Sequence, residues 1–517
     1  MEVGFVKNIK NFLIHLDGLP SIRVNEIVEN ETGVRGWVFA LLPEIVEALL
    51  IDEGPVEPGQ LFKRTGQKLT IPVGPFLLGR TINPLGVSLD GKSPLPEDKN
   101  IPRYDLDLPA LGIYAREFIR NQFETGITVI DSLMPLAHGQ RELIMGDARS
   151  GKTEFLINVI VNQAKKGVVC IYASIGKPIG QVKNLLDGLK ESKALDYTCV
   201  VSTSSSDPAP LIFLTPQTAF SVAEYFQRQG KNVLIILDDL GNHSKIYREI
   251  ALLSERPPGR ESYPGDIFYQ HAHLFERAGN FKKEYGGGSI TALPVIELNL
   301  NDFTSLIPTN LMAMTDGHLL FTSALALQGQ RPAIDISLSV TRVGAQTQNR
   351  VLNGLGTRVK QTLAEAKELE TVAKFSFELP FTTQIKLRRK DQFDELLKQP
   401  ALSYLPQEIQ AILLSLPFTK FMVDKDKEFV ENYREKIIHV FSTDPELSLI
   451  TKKALHYRDE TILIQTVDQA TKRLAELILP PPPPPKPTPT QSPTPTPFRP
   501  QQKSLTKKVE KKFNFLK

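Results

Sequence analysis

The sequence predicts a multidomain chain of α and β structure. It has a small all-β domain read as a barrel (1–79), an α/β domain with a mainly parallel sheet (80–355) and a helical domain (356–478). Three observations carry this. Up to residue 79, short β-branched runs such as Phe12–Leu16, Gly36–Ala40 and Leu69–Val73 alternate with turn residues, as in small barrels. From 80 to 355, wholly apolar runs such as Val168–Tyr172 and Val233–Leu237 alternate with helix-period segments, the pattern of strands covered on both faces. From 356 onward Leu, Lys, Glu and Gln recur at helical spacing, and the charged runs there read as solvated helix faces.

The end of the chain differs in kind. Between Pro480 and Pro500 lie twelve of the 39 prolines, six of them consecutive. Proline lacks an amide donor and fixes φ, so residues 479–503 read as an extended, disordered spacer. In the basic segment 504–517, Leu505, Val509, Phe513 and Leu516 would share one face of a helix, with lysines opposite. It reads as a disordered tail, or as a tethered amphipathic helix for a partner or an anionic membrane surface.

Bulk composition narrows the function classes. A net charge of +3 over 517 residues argues against a protein devoted to coating nucleic acid. The two cysteines, Cys170 and Cys199, lack metal-ligand spacing and fit a reducing compartment. Charges interrupt the apolar residues of the N-terminus, so no signal peptide is read, and no apolar run reaches the roughly 20 residues of a membrane span.

One motif carries chemistry. Gly146-Asp147-Ala148-Arg149-Ser150-Gly151-Lys152-Thr153 fits G-x-x-x-x-G-K-[ST], with an apolar strand entering and a helical run leaving. Such a loop turns backbone N–H groups onto phosphate oxygens, aided by the positive end of the following helix. Lys152 would reach the terminal phosphates and the Thr153 hydroxyl would ligate Mg²⁺. The run Val233–Leu237 ends in Asp238-Asp239, of which Asp238 is the candidate metal carboxylate. Hydrolysis further needs a carboxylate base. In RecA-like ATPases it commonly ends the strand after the loop's helix, where this chain has Ile175-Gly176-Lys177-Pro178. Lys177 cannot act as that base.

The segments GQRELIMGDARSGKT (139–153), SSSDPAPL (204–211), ERPPGRESYPGDIFY (255–269), GGGSITALPVIE (286–297), IPTNLMAMTDGHL (307–319) and RPAIDISLSVTRVGAQTQ (331–348) together resemble the α subunit of rotary F-type ATP synthases. The likeness extends over roughly residues 1–475. It implies a β-barrel, a central RecA-like P-loop domain and a C-terminal helical bundle. It also implies a ring of alternating α and β subunits around a rotating γ shaft, with ATP made in β. In that family the α site holds Mg²⁺ and ATP without turnover and has Gln where β has its catalytic Glu. Lys177 stands there in this chain. The match also assigns Arg342 as an arginine supplied across the interface to the β site, with Ser339 nearby. A guanidinium, always charged and forked, suits that task. Arg331, Pro332 and Gln399 match positions near the adenine, whereas Ala401 replaces a second Gln. Family members usually carry a helix ahead of the barrel that docks the peripheral stalk through δ; this chain starts directly in the barrel. The C-terminal extension is therefore a candidate substitute for that attachment. The expected location is the cytoplasmic face of a bacterial plasma membrane, held there indirectly as part of a two-sector ion-transporting complex.

A competing reading is a self-sufficient RecA-like ATPase, such as a secretion motor or a Rho-like RNA translocase. That needs a carboxylate after Ser174, and a translocase needs basic residues interleaved with aromatics in the β domain; the sequence offers neither. A third is a free ATP-binding scaffold without a catalytic sister subunit.

Overall fold

The computed structural model describes residues 2–299, 302–373 and 380–479, and Met1–Ile478 form one compact unit. The spacer expected from 479 and the basic tail at 504–517 lie outside the described residues, Leu479 excepted.

Six antiparallel strands open the chain: β1 (Val3–Lys10), β2 (Leu13–Asp17), β3 (Glu26–Asn30), β4 (Arg35–Leu41), β5 (Val46–Leu50) and β6 (Leu61–Lys68). They close as a barrel in the order β1-β2-β5-β4-β3-β6. Ile14, Leu16, Val28, Val38, Ala48 and Phe62 fill one cluster, following the period of two along each strand. Leu13, Trp37 and Leu49 point the other way and join the core of the next domain, with Trp37 6.1 Å from Phe213 between ring centroids. Burial on both faces explains why Phe12–Leu16 reads as a nearly continuous apolar run. The run Leu69–Val73, expected with the barrel, lies outside it: Thr70–Pro72 pairs with Arg103–Asp105 as a separate ribbon.

The central sheet has, in spatial order, the strands Val340–Thr341, Gly317–Phe321, Leu143–Asp147, Ser289–Leu298, Asn232–Asp238, Val169–Lys177, Thr198–Ser204 and Thr81–Ile82. Every pairing from Gly317–Phe321 to Thr81–Ile82 is parallel. Antiparallel pairing enters through Val340–Thr341 and through the short strand Gly279–Asn280. The inner strands are buried on both faces, as their apolar runs require. Parallel order also brings the C-terminal ends of these strands to one side of the sheet, where ligands of open α/β sheets bind.

Six longer helices follow, at Arg350–Ala373, Phe381–Leu396, Gln407–Ser415, Lys427–Thr443, Pro445–Lys453 and Glu460–Ile478. Local chemistry sets their starts. Asp426 accepts the Phe429 N–H at 2.9 Å, and Asp444, followed by Pro445, accepts those of Glu446 and Leu447. The change of composition at 355–356 falls inside the first of these helices. Among the described residues, no helix is long and apolar enough to cross a membrane.

Candidate functional site: a phosphate loop and a remote arginine

The strand Leu143–Asp147 runs between two parallel neighbours and leads into the loop at the C-terminal side of the sheet. Gly146 lies opposite Phe321, with φ of 153°. A Cβ there would stand 2.1 Å from the Phe321 carbonyl oxygen, so no side chain fits. Beyond Asp147 and Ala148, left-handed backbone at Arg149 (φ 60°) and Gly151 (φ 91°) turns the polypeptide into the helix Lys152–Lys165. No side chain caps that helix, so its first N–H groups face the loop, the arrangement that suits an anion.

The loop braces itself. Ser150 donates to the Asp147 carbonyl at 2.7 Å, and the Lys152 ammonium donates to the carbonyls of Gly146 (2.7 Å) and Asp147 (2.5 Å). Asp147 also accepts from Ser323 at 3.1 Å. Burial lowers the Lys152 pKa, against the pull of Glu297, Asp239 and Asp238. Phosphate oxygens would replace the carbonyls as acceptors with full charge.

Beside the loop is a cleft lined in part by Gly151, Phe155, Arg331, Pro332, Gln399 and Ala401. The expected base-contact positions therefore do converge. Their polar groups are differently used. The Gln399 amide is buried, donating to the Gly126 carbonyl at 2.7 Å and accepting from the N–H and hydroxyl of Thr128. Gln399 thus lines the cleft, while its amide ties the C-terminal region to the central one. The Arg331 guanidinium, exposed, donates to the Ala326 and Gln330 carbonyls.

Across the strand ends from the loop sits an arrangement that sequence spacing did not reveal. Asp238 receives the Lys177 ammonium on Oδ1 at 2.8 Å and the Tyr172 hydroxyl on Oδ2 at 2.5 Å. Both residues project from the adjacent strand, where Ser174 pairs with Asp238. Burial opposes charge on Lys177, but the carboxylates of Asp238 and Asp239 more than offset it, and its pKa lies above the ordinary lysine value. Burial pushes Asp239 up to about 6 although Lys177 pulls it down; its carboxylate accepts the N–H groups of Gly241 and Glu297. The donor set fits a divalent cation only in part. Thr153 is exposed at the helix start and suits a cation bridging to phosphate. Asp238 has an ammonium or a hydroxyl already on each oxygen. Glu297, exposed and opposite Gly146 in the sheet, is a further carboxylate near the loop that no motif in the sequence marks.

Arg342 follows the edge strand Val340–Thr341, which pairs with the start of Gly317–Phe321, Gly317 opposite Thr341. The phosphate loop is at the other end of that strand, where Phe321 meets Gly146. Four residues of strand separate them, about 13 Å. Arg342 thus lies at the opposite end of the sheet from its own loop. Its segment is tightly held. The Arg342 N–H donates to the Asp316 carbonyl at 3.0 Å, Asp316 grips Arg141 through two guanidinium bonds, and Thr341 donates to the Pro135 carbonyl at 2.9 Å. The Arg342 side chain is exposed, and its guanidinium makes no hydrogen bond or ion pair among the described residues. It shares its field with Glu142, whose pKa burial drives well up. Ser339, expected to help at an interface, has its hydroxyl inside. It donates to the Asp335 carbonyl at 2.6 Å and accepts the Leu320 N–H at 3.0 Å, anchoring the segment that carries Arg342.

The fold and the loop define a P-loop nucleotide-binding protein. The family model for the nucleotide-binding domain of the ATP synthase alpha/beta family matches residues 126–341, and that for the family's C-terminal domain matches 348–470. The protein belongs to the ATP synthase alpha/beta family and is a subunit of an F-type ATPase.

Proposed function

We propose that this protein is the non-catalytic, α-type subunit of its complex. It holds ATP in its own loop and supplies Arg342 to the γ-phosphate of a catalytic β-type neighbour in an alternating ring. The observation that carries this is the placement of Arg342: exposed, unpaired among the described residues and a strand length from its own phosphate loop. Lys177, where a base would end its strand, supports the same division of labour.

Within the subunit's own site, the loop N–H groups and Lys152 bind the phosphates, while the Pro332–Ala401 cleft receives the base. Magnesium, when bound, would neutralise phosphate charge, with Thr153 as the ligand this protein offers. In the assembled complex we place the subunit at the cytoplasmic face of a bacterial plasma membrane. There a γ shaft would turn inside the ring, and a peripheral stalk would hold it against an ion-driven membrane sector that powers ATP synthesis.

The full-length protein should bind ATP with turnover at background level. Lys152→Ala should weaken binding about 10- to 100-fold, the worth of one charged hydrogen-bonding group. Calorimetry and a phosphate-release assay check both. Brisk hydrolysis by the pure protein, abolished by Glu297→Gln, would instead favour a self-sufficient ATPase with Glu297 as its base.

A further inference from the structure

Lys177 does more than leave a base missing. The Val169–Lys177 strand departs from regular pairing between Ser174 and Lys177, with Gly176 at φ 58°, and the ammonium comes to rest on Asp238. Both side chains are largely buried, 16% and 8% exposed. The charges around them are Lys152 and Lys177 on one side and Asp238, Asp239 and Glu297 on the other. In a phosphate site of this kind the carboxylate ending the strand is the protein's hold on the metal. Here that carboxylate already has a cation of its own, joined to the backbone and present before any ligand arrives.

We propose that Lys177 is a resident counter-cation of the nucleotide site, so that a nucleoside triphosphate binds this protein with little dependence on divalent metal. Two physical consequences support this. An ammonium on Asp238 cancels the attraction that the carboxylate would exert on Mg²⁺ and repels the ion itself, so the metal gains little from that carboxylate. The same ammonium has three donors, of which Asp238 engages one, and the others are available to phosphate oxygens alongside Lys152. An amide at this position could still donate to phosphate, but it carries no charge, so it would not screen Asp238 from a metal and would leave that carboxylate with only the Tyr172 hydroxyl. The inference rests on the loop being a nucleotide site and is independent of what Arg342 does.

The test is equilibrium binding of ATP to the full-length protein, once with Mg²⁺ and once with EDTA. Removing the metal should change the wild-type dissociation constant by less than about threefold, and that of Lys177→Gln by more than about tenfold. Lys177→Arg, which keeps the cation, should behave as wild type. Equal metal dependence in the wild type and Lys177→Gln, whether strong or weak, overturns the role given to Lys177. A loss of about tenfold or more by the wild type in EDTA overturns it without recourse to any variant, and so covers the case in which Lys177→Gln fails to fold. No binding by the wild type in either buffer would strike the nucleotide site itself, a result distinct from metal-dependent binding.

Discussion

Arg342→Ala, introduced into the reconstituted complex, should cut turnover by about 10³-fold or more while ATP binding at the subunit's own loop stays within about threefold of wild type. An arginine finger stabilises charge that spreads over the γ-phosphoryl oxygens in the transition state, and for related NTPases this amounts to 10³ to 10⁵ in rate. The conversion is on the order of 4–7 kcal/mol. The two halves of the result come from the same geometry. Arg342 stands at the far end of the sheet from Gly146, so its loss leaves Lys152 and the loop amides untouched. Its backbone is fixed by Asp316 and Thr341, so truncating the side chain should not release the segment. Arg342→Lys should recover little, because an ammonium cannot fork onto two oxygens. Steady-state turnover of the complex, set against nucleotide binding to the isolated variant, checks the prediction. Wild-type rates would remove Arg342 from the chemistry.

Gly146→Ala should abolish measurable ATP binding and lower stability by about 2–6 kcal/mol, combining a backbone strained for an L-residue with an overpacked contact. The new methyl would meet the Phe321 carbonyl oxygen of the neighbouring strand, a backbone atom that cannot swing aside. Moving either strand shifts the whole phosphate loop, since Asp147 and the helix at Lys152 follow directly. Gly180→Ala is the matched control. Gly180 lies in the helix Ile179–Glu191 with nothing within 4 Å of its would-be Cβ, and alanine there should be neutral or slightly stabilising. Thermal unfolding of the two variants side by side separates a steric effect from a general intolerance of glycine replacement.

What could be read in the sequence follows from how local each feature is. The phosphate loop was legible because its demands are local: glycines where the backbone turns left-handed, a lysine and a hydroxyl at the helix start. The two-sided sheet was legible because burial on both faces leaves unbroken apolar runs such as Val233–Leu237. The Thr70–Pro72 ribbon was not, because its partner Arg103–Asp105 is three polar or aromatic residues with no strand signature. The same holds within the site. That Lys177 could not serve as a base was plain from its chemistry, but its ion pair with Asp238 depends on two strands about sixty residues apart lying side by side. Ser339 and Gln399 show the limit of resemblance. The resemblance implies a site role for each, and the hydroxyl and the amide are engaged by Leu320, Asp335, Thr128 and Gly126, uses that only packing reveals.

The anchoring of Arg342 has a mechanical side. Residues Gln140 and Arg141, just ahead of the strand that feeds the phosphate loop, hold Thr341 and Asp316 by side-chain bonds. The backbone that carries Arg342 is therefore a stiff strut, from which only the exposed side chain extends freely. In the role proposed for Arg342, the reach of the charge is then set by one side chain and not by movement of the segment behind it. In that proposed role, any larger approach or withdrawal would be a motion of the subunit as a body, its timing set by whatever tilts one subunit against the next.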